Sequence, residues 1–256
     1  MRFLQITILL AACMAFISPL SSEEPEVHRY DANARTRIQF AIENRPDPIF
    51  PPALKQRGVF KGKAVFAVFV NQFGELADYL LIEASHLEFA SSVERVIDRW
   101  KFSVPYADGE PAPVASRLVI NFRLDGVVYE TTGFHLVLPF GNDILTDDEY
   151  RIYGVWELDK VPEPIEIAKP EFHVDLLEER EQVNAIFDFF IDTEGRVRIP
   201  TLREADDKVD ERLLVIAQDA LIKWRFNTPT VDGKPVVSRV AQPFRFKNKN
   251  GVGVVK

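Results

Sequence analysis

"RWKFSVPYADGEP" runs from Arg99 to Pro111, and "KWRFNTPTVDGKP" runs from Lys223 to Pro235. Both read basic-Trp-basic-Phe, then Pro three residues on, then Asp-Gly, one charged residue and Pro. Trp100, Phe102, Pro105 and Gly109 thus recur as Trp224, Phe226, Pro229 and Gly233 at one spacing of 124 residues. A signature repeated at fixed spacing means the chain is built from copies of one supersecondary unit, and this decides how every flanking segment is read.

Working outward, the copies extend in both directions. Upstream of Trp100, "FASSVERVIDRW" places Phe89, Val93, Val96, Ile97 and Trp100 on one stripe, which predicts an amphipathic helix. Ser91 with Glu94 three residues later predicts its cap. Before that helix, "KAVFAVFVNQFGELADYLLIEA" alternates Ala64, Phe66, Val68 and Val70 against Val65, Ala67 and Phe69, breaks at the turn "NQFG" and resumes, which predicts a hairpin. Both faces of the first strand are apolar, so both are expected to be covered. Still earlier, "PALKQR" starts with Pro52, where a short helix accepts proline, and ends at Gly58. After the Asp-Gly turn, "PVASRLVINFRL" alternates as a third strand. In the second copy "VNAIFDFFIDTEGRVRIPTL", "ERLLVIAQDALIKW" and "PVVSRVAQPFRF" repeat the plan. Gly74 and Gly195 lie 121 residues apart rather than 124, which places a three-residue insertion near "ADDK".

The expected fold is therefore α+β: two β-β-α-β units, each a three-stranded antiparallel sheet packed on one or two helices. Unit 1 is expected over 46–126, a connector over 127–160, unit 2 over 161–247 and a flexible tail over 248–256. The connector offers strands at "GVVYETT" and "FHLVLP" and an acidic stretch "TDDE". In each unit the tryptophan reads as a core anchor at the helix end, and Asp-Gly-x-Pro as the corner into the last strand.

Composition bounds function. The chain has 256 residues, 46% hydrophobic and 27% charged, a globular balance with room for two domains. A formal net charge of -8 argues against nucleic-acid or anionic-membrane partners. Residues 1–22, "MRFLQITILLAACMAFISPLSS", read as an export signal with three fates: cleavage near Ser22, lipidation at Cys13 within "LAAC", or retention as a membrane anchor. Cys13 is the only cysteine, so no disulfide is expected. His28, His86, His135 and His173 are scattered, with no helical pair at metal-ligand spacing, and no nucleophile, phosphate-loop or dinucleotide motif is present. No metal, cofactor or enzymatic activity is expected. A hydrolase centred on His135 and Asp143 of the connector is the weaker rival.

On these residues the chain resembles the TonB C-terminal domain family. In unit 1 the likeness runs through "FPPALKQRGVFKGKAVFAVFVNQFGELADYLLIEAS", "RWKF" and "PYADGEPAPVASRLVINFRL". Unit 2 carries "FFIDTEGRV", "KWRF" and "VDGKPVVSRV", with "EFHVDLLEEREQV" in place of the proline-led opening. The resemblance covers roughly Pro48 to Leu124 and Glu181 to Phe246. It implies a periplasmic module that takes an extended segment of a protein partner, such as an outer-membrane transporter, as an added strand. The edges to which this points are Val114 to Leu124 and Val236 to Phe246. Pro243 removes a donor from the second, so peptide capture is expected on the first, at Val114, Ser116, Arg117, Leu118, Val119, Ile120, Asn121 and Phe122. The alternative is that both edges are protected or paired with each other. Energy-coupling members carry a membrane helix with a histidine and a long proline-rich spacer. Residues 1–22 hold no histidine, and the roughly 25 residues that follow reach at most about 80 Å, which argues against a force-transmitting transducer. A membrane-anchored accessory of outer-membrane transport is the other reading.

Overall fold

The structure is a computed structural model, described for residues 38–39, 41–107, 109–133, 149–178, 180–249 and 252–255. It is α+β, and it repeats one plan twice. Unit 1 opens with α1 (Pro52–Gln56), where Pro52 occupies the first helical turn. Strands β1 (Lys61–Val70) and β2 (Leu76–Ala84) form the hairpin, α2 (Leu87–Glu94) follows, and β3 (Val114–Arg123) returns antiparallel to β1. Then β4 (Gly126–Gly133) folds back on β3. In the connector, β5 (Tyr150–Arg151) and β6 (Tyr153–Gly154) are two-residue strands. Unit 2 comprises β7 (Gln182–Ile191), β8 (Val197–Ala205), α3 (Glu211–Leu221), β9 (Ser238–Lys249) and β10 (Val252–Val255).

Each unit buries its own core between sheet and helix. In unit 1, Ala64, Phe66, Val68 and Val70 from β1 and Leu118, Ile120 and Phe122 from β3 meet Phe89, Val93, Val96, Ile97 and Trp100. In unit 2, Ala185, Phe187, Phe189, Ile191, Phe244 and Phe246 meet Leu213, Ala217, Leu221 and Trp224. The two tryptophans have matching surroundings. Both are buried, and each indole N–H donates to a backbone carbonyl of the segment leading into its unit, Pro46 at 3.1 Å for Trp100 and Ala168 at 2.8 Å for Trp224. A wholly enclosed indole N–H needs such a partner.

The hairpin turns are equally matched. Gly74 and Gly195 adopt φ of +79° and +76°, and a Cβ on either would strike the carbonyl oxygen of Phe102 or Phe226. Glycine at the turn and phenylalanine after the tryptophan are thus two halves of one contact.

The two sheets stack on each other. Val65, Ala67, Ile82, Ala115 and Val119 of unit 1 meet Phe190, Ile199 and Val237 of unit 2. This accounts for the apolar second face of β1: the other copy covers it. Arg198 of β8 crosses the same boundary to pair with Asp78 and donates to the Tyr79 carbonyl at 2.8 Å. The connector belongs to both sheets, β5 antiparallel to β2 and β6 parallel to β9.

Several expectations are corrected. The stripe from Phe89 to Trp100 is not one helix: α2 ends at Glu94, and a single 3-10 turn over Ile97–Arg99 delivers Trp100. Ser91 and Glu94 do not cap it, because the helix starts at Leu87 and both residues lie inside it. Asp210 does cap α3, accepting from the Arg212 N–H. Where unit 2 lacks the proline-led helix, a 3-10 turn over Val174–Leu177 takes its place, and Phe172 packs edge-on to Phe246 as Phe50 does to Phe122. The expected flexible tail contains a strand, since Val252–Val255 pairs with Phe246–Lys249. "GVVYETT" forms β4 and extends the sheet of unit 1, whereas "FHLVLP", His135 and Asp143 lie outside the described residues.

Candidate functional site: the outer edge of each third strand

The sequence points to the outer edge of β3 as the place where a partner strand would dock. The structure fills that edge. Eight residues, Ser116 to Arg123, pair with Gly133 to Gly126 of β4, so β3 is an interior strand in the order β5-β2-β1-β3-β4. The expectation that Val114–Phe122 presents open backbone is therefore corrected. Asp125-Gly126 lies one residue beyond β3, with Gly126 opening β4, and is a turn dipeptide, the one signal in the sequence that announced this return.

The side chains of the strand are placed as follows. Val114, Leu118, Ile120 and Phe122 are buried toward the helix, with Ser116 also enclosed, while Val119 enters the inter-sheet layer. Arg117 pairs with Glu83 at 3.2 Å, and Asn121 donates to Glu130 of β4 at 3.2 Å. Tyr129 fastens β4 from outside the ladder. Its hydroxyl donates to Asp47 at 2.7 Å, the Arg45 guanidinium lies 4.1 Å above its ring, and Trp100 meets it edge-on at 5.5 Å. Burial, and then the Asp47 carboxylate, push the Tyr129 hydroxyl well above the usual phenol range, so it remains a donor.

The same edge in unit 2 is filled only at its ends. β6 pairs with Ser238 and Arg239, and β10 pairs with Phe246 to Lys249. Between them Val240 to Arg245 has no strand on its outer side among the described residues. The phase of the ladder fixes which groups face outward. The Asn248 N–H donates to the Glu181 carbonyl, and the Tyr153 N–H to the Val237 carbonyl. Even-numbered residues of β9 therefore exchange bonds with β7, and Ala241, Pro243 and Arg245 direct their backbone outward. Pro243 thus costs the fold no bond to β7. It removes one outward donor and leaves the Ala241 and Arg245 N–H groups and carbonyls, while the Pro243 carbonyl accepts from the Gln242 side-chain amide at 2.9 Å.

The remaining signature residues are architectural. The carbonyls of Pro105 and Pro229 accept from the Ala112 and Val236 N–H groups at 3.0 and 2.9 Å. Gly109 and Gly233 take φ of +94° and +73° in the corner turns, and in unit 2 the Asp159 carboxylate holds the Asp232 and Gly233 N–H groups at 2.9 Å each.

Charge is concentrated in unit 2. Asp188, almost fully enclosed within β7, pairs with Arg203 and with the buried Arg239. Burial raises Asp192, but the Arg196 N–H and guanidinium and the Glu194 N–H outweigh it and hold the carboxyl below its ordinary value. The outer side of β4 has no strand among the described residues, whereas two further edges are blunted. β2 carries the Asp78–Arg198 pair, and β8 is broken by register shifts near Pro200 and by Ile199 at φ +48°. Among the described residues no group of three or more His, Cys, Asp or Glu side chains is arranged to hold a metal ion, and no helix is long and apolar enough to cross a membrane. No protein-family model matches the chain, and no curated protein matches it.

Proposed function

We propose that this is an exported protein-interaction module of the cell envelope that captures an extended segment of a protein partner by strand addition. One observation carries the reading. In both copies the outer edge of the third strand is the place where further strands are added, and in unit 2 six residues of that edge, Val240 to Arg245, have no strand beside them among the described residues and lie between two added strands. An opening of this length, about 20 Å at the usual rise per residue, suits a short extended peptide. Backbone bonds supply the affinity in such docking, and side chains on the pleat supply the choice. The TonB C-terminal resemblance supports the same edge and an envelope location.

Selection of peptides from a displayed random library against the full chain tests this. β-prone sequences are expected to be enriched, and Ala241→Pro should weaken their binding more than tenfold while leaving the β7–β9 ladder intact, because that N–H faces outward. Undiminished binding to Ala241→Pro would remove the open edge of β9 from the account. Sequencing the N-terminus of the mature chain recovered from fractionated cells tests export.

A further inference from the structure

The chain has three tryptophans. Trp100 and Trp224 are enclosed in the two cores, whereas Trp156, in the connector, is 71% exposed. An indole buries more apolar area than almost any other side chain, so one held in water forgoes a large gain. Its surroundings show that it is held there by a built seat.

Gly154 has φ −77° and ψ 157°, extended backbone that any residue adopts. Conformation therefore does not call for glycine at this position. Space does: a Cβ would lie 2.7–2.8 Å from three atoms of the Trp156 ring. The indole rests against the Gly154 backbone, on the side a side chain would occupy. The 3-10 turn that carries it, Val155–Glu157, is closed by the Glu157 carboxylate, which accepts from the Gly154 N–H at 2.8 Å and from the Arg151 guanidinium at 2.6 Å. Gly154 is itself fixed by the pairing of β6 with Ser238 and Arg239. The ring is thus oriented before a ligand arrives, which lowers the entropy lost on binding.

The seat borders the stretch Val240 to Arg245, which has no strand beside it among the described residues. The turn over Val155–Glu157 stays next to β9 after the pairing of β6 ends. Residues in register on neighbouring strands point to one side of a sheet, and alternate residues share that side. Gly154 is in register with Arg239, so the indole lies on the side of Arg239, Ala241, Pro243 and Arg245. Next to Arg239 on that side stands only the methyl of Ala241. A strand laid along Val240 to Arg245 begins where β6 stops, and a side chain at that end, on that side, rises beside the Trp156 ring over Ala241.

Charge decides which side chain suits the place. A cationic group would stack on the indole but would also meet Arg239 and Arg245 on the same side of the sheet, and like charges across an interface exclude a partner. An aromatic ring meets no such penalty. We infer that Trp156 is the side-chain selector of the β9 opening and takes an aromatic residue at the β6-proximal end of the captured segment. This rests on the strand-addition reading above and names the chemistry of the partner. An edge-on or offset ring pair adds about two- to tenfold in affinity beyond the area it buries.

A displayed random peptide library, panned in parallel against the full chain and its Trp156→Ala, Gly154→Ala and Ala241→Pro variants, tests this. On the unaltered chain, β-prone peptides with an aromatic residue concentrated at one position are expected. Trp156→Ala should still enrich β-prone peptides, without the aromatic preference. Gly154→Ala should lose the preference too, although it retains the indole: the new methyl unseats the ring, which swings into solvent without disturbing the sheet. For a fluorescein-labelled selected peptide, replacing its aromatic residue by alanine should weaken binding about tenfold on the unaltered chain and hardly at all on Trp156→Ala, as a coupled pair requires.

Peptides lost with Ala241→Pro that show no aromatic preference, keep it on Trp156→Ala, or carry arginine or lysine at that position overturn this inference and leave the proposed function standing. An unaltered preference on Gly154→Ala overturns the seat. Enrichment of no β-prone peptide, or binding indifferent to Ala241→Pro, removes the strand-addition reading and this inference together.

Discussion

Replacing Gly195 by alanine isolates the contact that joins the hairpin to the tryptophan signature. The residue sits at φ +76°, and an added Cβ would lie 2.0 Å from the Phe226 carbonyl oxygen, a separation that requires backbone movement. Left-handed backbone costs a non-glycine residue about 1–2 kcal/mol. Moving the turn adds about 1–3 kcal/mol of overpacking strain. It also stretches the bond from the Phe226 N–H to the Gly195 carbonyl, 2.8 Å long, whose net worth is about 1 kcal/mol. The total is about 3–6 kcal/mol. Gly233→Ala is the control: its φ is +73°, but a Cβ there meets nothing within 4 Å, so only the backbone penalty of about 1–2 kcal/mol applies. At about 2–4 °C per kcal/mol for a chain of this size, thermal unfolding should fall by 10 °C or so for Gly195→Ala and by about 4 °C for Gly233→Ala. Equal shifts would show that conformation alone governs both positions and would refute the claim that the turn and Phe226 are fitted to each other.

Two further outcomes are expected. Trp100→Phe and Trp224→Phe each leave a carbonyl, of Pro46 or Ala168, without its indole donor; urea unfolding should show a loss of about 1–3 kcal/mol, similar for the two because the surroundings match. Asp192 is held below its ordinary carboxyl value in the folded chain, so it binds fewer protons there than when unfolded, and its contribution is complete above the unfolded value near pH 4. That contribution is lost as pH falls through the lower native value; Asp192→Asn should therefore flatten the acid side of the stability profile, and an unchanged profile would assign the acid dependence to other carboxylates.

The repeated signature made most of the architecture readable, because tryptophan, glycine and proline each answer to a local steric demand. The alternation of β1 carried more than local information: Val65 and Ala67 beside Phe66 and Val68 called for cover on two faces, and the second unit supplies it. Helix ends were less legible. Ser91 and Glu94 have the spacing of a cap, yet the chain enters α2 straight from β2 at His86, and tertiary packing of Phe89 and Val93 sets the start. The candidate edge was misplaced for a different reason. Whether a strand is interior depends on where a later segment returns, and composition does not specify that. Asp125-Gly126 marked the return of β4, while the direction in which Pro243 turns its missing donor depends on the pairing phase, which is set by contacts with β7 some sixty residues away in sequence.

Tyr150 to Gly154 hydrogen-bonds first to one sheet and then to the other. Five consecutive residues thus act as a seam: a force that would slide one copy over its sibling must unzip backbone bonds on both sides at once, and neither copy can be excised without stripping a border from the one left behind. What began as duplication has become mutual dependence, so a change that loosens this short passage should be felt at both outer margins of the molecule.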